Sequence, residues 1–424
     1  MKRSSPELLA GLDIGSSQLR LAVGQLVPPA ETGGRPTLQI VGVAETEASG
    51  VHRGTIASIE DVVSAVSHCL ERAERMVGFP VPGVTVGIAG LHIMTQESKG
   101  VVAVSAGDSE ITESDVERVV EASRAIATPL NHEVLHVLPK RFSIDGQGNI
   151  KDPVGMTGIR LEVDSLIILG ASTQIKNLTK AVYRAGLQID DLVLGILATS
   201  EAVLTARQKE IGVVVVNLGA ATTSLAVWEE GDLVHLAMLP IGSEHITNDL
   251  AIGLRTSLEV AENVKIEYGE CLPAAVSKRD EVDLFALGSP EHEAVKRQYI
   301  SEIIEARAEE ILRKIDGELS RVKRSGLLPA GVVLTGGGAK LPGIAELSKS
   351  VLRLPAMLGY PLQLASVTEK VNDLGYSTAV GLVKWASLYG GATGGGRSAW
   401  GGGVRRTMNS AGAQIKKWVR ALIP

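Results

Sequence analysis

LLAGLDIGSSQLRLAVG, residues Leu8 to Gly24, reads as a strand, a Gly-Ser-Ser turn and a second strand in which Leu19, Leu21 and Val23 alternate in character. The pattern predicts a hairpin with a polar tip. Far downstream, VVVVNLGAATTSLAVW (Val213 to Trp228) repeats it, with Asn217 in the place of Asp13 and Gly219 in that of Gly15. Leu225, Ala226 and Val227 likewise replace Leu21, Ala22 and Val23. A repeat at this distance is no solenoid. It predicts two related lobes, each opening with strand, turn and strand, their tips facing a shared cleft. Clustered N–H groups in such turns bind anions, and the turn glycines are expected to use positive φ.

Between the copies, Ile59, Val62, Val63, Val66 and Leu70 mark a helix over Ile59 to Val77, and Val84 to Ala89 reads as a strand. His92 to Leu161 reads as strands around a helix, Asp115 to Ile126, with capping oxygens in Thr112 to Asp115. This is expected to be an inserted subdomain. Ser165 to Ala171 is a buried strand, Gln174 to Ala185 a helix closed by Gly186, and Asp191 to Glu210 another strand and helix. Pro273 to Leu328 is charged and helical. Gly331 to Leu347 gives a strand, a glycine run and a helix, so Gly336, Gly337 and Gly338 could let a purine and ribose lie against bare backbone. GGATGGGRSAWGGG, Gly390 to Gly403, has a flexible-linker composition with a root-mean-square reach of roughly 20 Å.

With 424 residues, 45% hydrophobic and 21% charged, the chain exceeds what one core serves and fits a soluble α/β class with 47 glycines for its turns. Cys69 and Cys271 match no redox or zinc spacing, which suits a reducing cytosol. No apolar run reaches the ~18 residues of a membrane span, and Met1 to Leu12 lacks a signal-peptide core. The chain is thus expected neither to cross a membrane nor to be exported. No GxSxG nucleophile motif is present, and neither triad nor metal-hydrolase chemistry is expected. Nucleic-acid binding is not expected either, because the body is acidic and lacks basic-aromatic interleaving.

Net charge is −6, but it is unevenly spread. The last 34 residues, from Gly391, carry six Lys/Arg and no Asp/Glu, leaving 36 basic and 48 acidic groups before them, a net of −12. From Val404 to Ile423, apolar Val404, Met408, Ala411, Ile415, Trp418, Val419, Leu422 and Ile423 recur at spacings of three and four. Arg405, Arg406, Lys416, Lys417 and Arg420 flank that stripe. This is the profile of an interfacial helix that lies on anionic lipid.

The two DIG-type loops with the late TGGGA segment resemble the actin superfamily of nucleotide-binding proteins. HVLPKRFSIDGQGNIKDPVGMTGIRLE (His136 to Glu162), LGILATSEAVLT and GYSTAVGL resemble the FtsA family of bacterial cell-division proteins within it. The resemblance implies an α/β, actin-like two-lobed fold with an inserted subdomain and a C-terminal amphipathic helix. The implied division is a first-lobe core at 1–83, 165–199 and 360–389, the insertion at 84–164, and a second-lobe core at 200–240 and 327–359. A small second-lobe subdomain at 241–326, a linker at 390–403 and the membrane helix at 404–424 complete it.

Carried over by position, the resemblance places Gly15, Ser16, Ser17 and Gln18 at the first phosphate loop and Asn217, Gly219, Ala220, Ala221 and Thr222 at the second. Glu262 and Lys265 fall beside the ribose, and Gly336, Gly337 and Gly338 at the adenosine. Asp13, acting on Mg through water, and Glu201, orienting a water, are the implied catalytic candidates. The membrane contacts are Ile415, Lys416, Lys417, Trp418, Val419, Arg420, Leu422 and Ile423. Three departures oppose turnover of the implied ATP–Mg: Gln18 where lysine is usual, Asn217 where aspartate is usual, and Ala220 and Ala221 in place of glycines. A Cβ in left-handed backbone costs about 1–2 kcal/mol. The expected role is an adaptor at the division site that polymerises and holds FtsZ to the inner face of the cytoplasmic membrane, alongside other divisome proteins. The alternatives are an actin-superfamily ATPase or kinase, or an adaptor of pilus assembly like PilM.

Overall fold

The structure, a computed structural model, describes residues 8–27, 36–104, 107, 109–125, 128–290, 292, 294–362 and 364–389. The linker and the membrane contacts expected at 404–424 lie outside them. Two sheets with the same strand plan carry the two lobes. In the first, Thr37–Glu47, Gln18–Val27 and Leu8–Ile14 run antiparallel in that order, and Gly83–Ile88 and Gln188–Leu194 continue in parallel, with Ala365–Ser366 on the outer edge. In the second, Asp232–Leu239, Thr223–Glu229 and Val213–Leu218 are antiparallel, followed in parallel by Val332–Thr335 and Ala356–Leu358. Register repeats as well. Asp13 faces Arg20 across the first hairpin as Asn217 faces Ser224 across the second.

The four valines 213 to 216 show why the second hairpin reads as an unbroken apolar run. All four are fully buried. Val213 and Val215 point into the core shared with the first lobe, and Val214 and Val216 into the core of the second lobe. A strand covered on both faces needs no polar alternation. Its cover on the first-lobe side includes the helix Gly195–Val203, whose partner is the helix Ser377–Tyr389. These two cross closely because a Cβ on Gly381 would lie 2.5 Å from the Ala198 carbonyl carbon.

A third sheet, in the order Ile93–Ala103, Arg160–Ala171, His132–Ile144, Gln147–Ile150, forms the inserted subdomain with the helix Glu113–Arg124. Ile111, Val116, Val119, Phe142, Leu161 and Val163 give it a core of its own. Thr112 and Asp115 cap the helix reciprocally. The expected limits of 84 and 164 both shift. Gly83–Ile88 hydrogen-bonds into the first-lobe sheet, and Arg160–Ala171 continues unbroken in the third sheet past a bulge at Asp164/Ser165, so no separate first-lobe strand starts at Ser165. In the small part of the second lobe, Ser243–Gly253, Leu258–Tyr268 and Arg297–Arg321 pack onto the second sheet through a continuous core. Among the described residues no helix is long and apolar enough to cross a membrane.

The inserted subdomain also reaches the second lobe. Arg141 pairs with Glu230 and, at 3.1 Å, with Asp232, and Lys151 Nζ donates to the Glu230 carbonyl at 2.7 Å and approaches Glu210 at 3.3 Å. Arg141 and Asp232 are mostly buried, so the pair is screened less than a surface one. Arg141→Glu should destabilise by about 2–3 kcal/mol, and Arg141→Glu with Asp232→Arg should recover at least half of that in a denaturation cycle. Strict additivity of the two single changes would show that the pair does not join subdomain to lobe.

Candidate functional site

The two hairpin tips are built alike. Gly15 N–H donates to the Gln18 carbonyl at 3.2 Å, and Gly219 N–H to the Thr222 carbonyl at 3.0 Å. Neither glycine has positive φ. Both are required for room instead, since a Cβ would lie 2.6 Å from the Gln18 oxygen and 2.7 Å from the Thr222 oxygen. Ala220 and Ala221 also avoid left-handed backbone, so the strain expected of them does not arise. What remains is the volume of two methyl groups, that of Ala221 buried.

Each tip is braced from outside its hairpin. Ser16 Oγ accepts from Gly54 N–H at 3.2 Å, and Ala48 N–H donates to the Ser17 carbonyl at 2.9 Å. In the second, Ser243 N–H and Glu244 N–H donate at 2.9 Å to the carbonyls of Gly219 and Ala220. These two donors open the helix Ser243–Gly253, which places its positive end at the turn.

Ser243 links three of the expected ligand positions. The Gly338 backbone comes so close that a Cβ there would lie 3.0 Å from the Ser243 Cβ. Lys265 Nζ donates to Glu262 at 2.6 Å and to Thr247 Oγ1 at 2.8 Å, and lies 3.5 Å from the Ser243 carbonyl. Lys265 is buried while Glu262 is half exposed. This is an anchored ion pair with one open carboxylate, unlike a solvated surface pair. Gly336 needs its glycine for backbone reasons, having φ of 89° and ψ of 171°. Lys340 closes that loop on Asp373 at 2.6 Å.

Asn217 and Asp13 have different surroundings. Asn217 Nδ2 donates to Thr378 Oγ1 at 3.1 Å, and Thr378 and Thr199 share a hydrogen bond at 2.9 Å, tying the second hairpin to both central helices. Burial pushes the Asp13 carboxyl up to about 6, and Arg20 pulls it back. A folded pKa above the unfolded value means stability that is full below about pH 4 and lost as pH rises through about 6. Asp13→Asn should therefore exceed wild type in stability at pH 7, by at most about 3 kcal/mol, with the gap gone at pH 4. Equal denaturation midpoints at pH 7 would remove the buried-charge reading.

Arg20 was not among the sequence candidates. Strand alternation puts it on the face of Asp13, and register sets it against Glu45 as well, at 3.5 Å. Its guanidinium lies 5.6 Å from the centre of the Tyr376 ring, beside Gly375. The segment that holds it, 373–376, also takes Gly336 N–H on the Leu374 carbonyl at 3.1 Å. Arg20 is therefore a cation next to the first turn, two residues beyond Gln18. Glu201, by contrast, pairs with Lys209 at 2.6 Å, and Lys209 covers Trp228, at the end of its strand remote from the turn. The structure does not bring Glu201 to the tips.

His132-Glu133-Val134-Leu135-His136 has the HExxH spacing of helical zinc sites, which the expectation of no metal-hydrolase chemistry passed over. Here it lies on the strand His132–Ile144. Residues four apart on a strand are about 13 Å apart, too far for one ion. His136 is buried, with a pKa lowered by burial to about 4, and its Nε2 accepts from Leu194 N–H at 3.0 Å. Among the described residues no group of three or more His, Cys, Asp or Glu could hold a metal ion.

Residues 214–381 match the family model described as cell division protein FtsA, and residues 90–169 that of the SHS2 domain inserted in it. The cell division protein FtsA of Pseudomonas aeruginosa is 35% identical over 381 residues, covering 90% of this chain and 89% of that protein. That of Bacillus subtilis is 37% identical over 380 residues, 90% of this chain and 83% of that one. Among solved structures, the PilM-PilN type IV pilus biogenesis complex aligns with a TM-score of 0.64 at 19% identity, over 89% of this chain and 97% of that one. MreB5 of Spiroplasma citri bound to ADP aligns with 0.52 at 13%, over 90% and 96%. These two likenesses establish the fold as actin-like. Identity at this level, spread over nine tenths of the sequence, with the inserted domain matched in place, shows that the chain belongs to the FtsA family of cell division proteins.

Proposed function

We propose that the chain is a nucleotide-binding scaffold of cell division that holds ATP between its two hairpin tips, turns it over slowly or not at all, assembles with copies of itself, and tethers FtsZ filaments to the inner face of the cytoplasmic membrane through residues 404–424. The observation that carries this reading is the pair of matched tips, of which only the first keeps a carboxylate. The glycine-lined turns and Arg20 suit a polyphosphate, and the helix that opens at Ser243 adds the field of its dipole, its first N–H groups being donated to the second turn. Glu262, Lys265 and the 336–338 backbone suit a ribose and base.

Mg fits this site poorly. Asp13 is the one carboxylate placed at the tips by the two hairpins, and Asn217, whose Nδ2 donates to Thr378, has only a neutral amide oxygen to turn toward a cation. A missing unit charge is worth roughly 4 kcal/mol at 4 Å and an effective dielectric of 20. When bound, Mg would neutralise phosphate charge. The chain's own residues do the rest: the turns bind and orient the phosphates, and Arg20 offsets their charge. Calorimetric titration with ATP–Mg alongside a phosphate-release assay tests the reading. Binding with turnover far below 1 s⁻¹ is expected, a rate of about 1 s⁻¹ being the low end for enzymes. Turnover at or above that rate would make it an ATPase, and no binding at all would remove the nucleotide from the proposal.

A further inference from the structure

The first lobe contains a small polar cavity. Ile14, Val51, Gly54, Ile56, His92 and Gln174 are among the residues enclosing it, and it leaves about 20 Å³ for the centre of a water-sized sphere. By this measure roughly 10–15 Å³ is enough for one water. Both ring nitrogens of His92 and Oε1 of Gln174 are buried and make no hydrogen bond to the described residues. Burial, with His132 repelling further, lowers the His92 pKa, so the ring is neutral and offers one N–H and one lone pair. Unpaired buried donors and acceptors are rare in folded chains, whereas a water with two to four polar partners is common.

The cavity's position gives it a use. His92 immediately precedes Ile93–Ala103, the first strand of the inserted subdomain, and Gln174 lies in the first turn of Ser172–Arg184, the helix that follows its last strand. Both roots of the subdomain therefore meet at one hole. Gly54 also lines the cavity, and its N–H is held by Ser16 Oγ of the first tip. Ser16 Oγ accepts from Gly54 and keeps an O–H that can donate to an anion, so one hydroxyl joins the first tip to the cavity wall.

We infer that the cavity is an internal water site, with His92 and Gln174 as its partners, and that its water couples the first phosphate turn to both roots of the inserted subdomain. The coupling rests on the nucleotide reading above; the water site does not. Hydrogen exchange of the full chain with and without saturating ATP tests the coupling. In wild type, ATP should slow exchange at residues 90–95 and 171–175 severalfold. His92→Leu combined with Gln174→Leu should keep ATP affinity within about twofold and lose that slowing. An unchanged response in the double variant, or an unresponsive root in wild type that binds ATP, would overturn it. A crystal structure of the wild-type chain at about 1.8 Å decides the site itself, whether or not ATP binds or the variant folds. Density within hydrogen-bond reach of a His92 nitrogen and Gln174 Oε1 is expected, and a dry cavity, or direct protein partners for both groups, would refute it.

Discussion

Gly336→Val should abolish measurable ATP binding and cost about 3 kcal/mol or more of stability, while the neighbouring Gly337→Ala should do neither. The two glycines look interchangeable in the run Thr335-Gly336-Gly337-Gly338, and the backbone separates them. Gly336, with φ of 89° and ψ of 171°, occupies a region essentially reserved for glycine, where any side chain costs about 1–3 kcal/mol and a β-branched one more. Its Cβ would also fall inside contact distance of Asn217 Oδ1 and 2.7 Å from the Leu218 carbonyl oxygen. Those atoms belong to the strand that carries the second tip, so relief of the clash shifts the hairpin and the Asn217–Thr378 link with it. A Cβ on Gly337 meets nothing within 4 Å, and its φ is unexceptional. Thermal denaturation and ATP titration of both variants check this, and unchanged stability and binding in both would show that the loop neither carries strain nor borders the ligand.

Reading the sequence reached the architecture because the architecture is repeated. Asp13 and Asn217 sit at the same offset from Leu21 and Leu225, and the folded sheets keep that offset as cross-strand register. The helix Ile59–Val77 was legible to the residue, since its apolar spacing, the cap on Ser58 and the left-handed Gly78 all agree. Turn backbone was not legible. Glycine in a turn suggests positive φ, but at Gly15 and Gly219 the constraint is the carbonyl three residues on, which one-dimensional spacing does not reveal. The limits of the insertion were missed for a similar reason: Val84 to Ala89 and Ser165 to Ala171 both read as strands, and only pairing tells which sheet each joins.

Side-chain roles divided along the same line. Arg20 could have been found by counting alternation from Asp13, because strand partners opposite one another share a face. Glu201 was drawn to the site by its segment, while its helix, Gly195–Val203, turns it toward Lys209 and Trp228. The buried link from Asn217 to Thr378 and Thr199 spans residues far apart in sequence, and no local pattern encodes it.

A chain ending at Gly403 should fail to pellet with anionic vesicles that sediment the intact protein, and Trp418→Glu should weaken pelleting by roughly a hundredfold. Five basic residues, Arg405, Arg406, Lys416, Lys417 and Arg420, contribute about 1 kcal/mol each near an anionic leaflet. Ile415, Trp418, Leu422 and Ile423 add a few more at about 1.5–3 kcal/mol per side chain fully buried. Fixing about twenty residues on the membrane takes back a large part, so one copy should bind reversibly. Trp418→Glu both removes the largest apolar contact and adds a repelled charge, about 3 kcal/mol together, or two orders of magnitude in affinity. Because the electrostatic share is exposed, pelleting should also fall as salt is raised. Copies joined in one filament would share the membrane, so assembly should sharpen binding without any change in the individual tail. The body before the tail, net −12, would be repelled by the same lipid, so it is not expected to substitute for the tail. The decisive comparison adds FtsZ: the shortened chain should still bind it in solution yet leave it off the vesicles. Equal sedimentation of the intact, shortened and Trp418→Glu chains would instead show that the body binds vesicles without the tail and end the tether proposal.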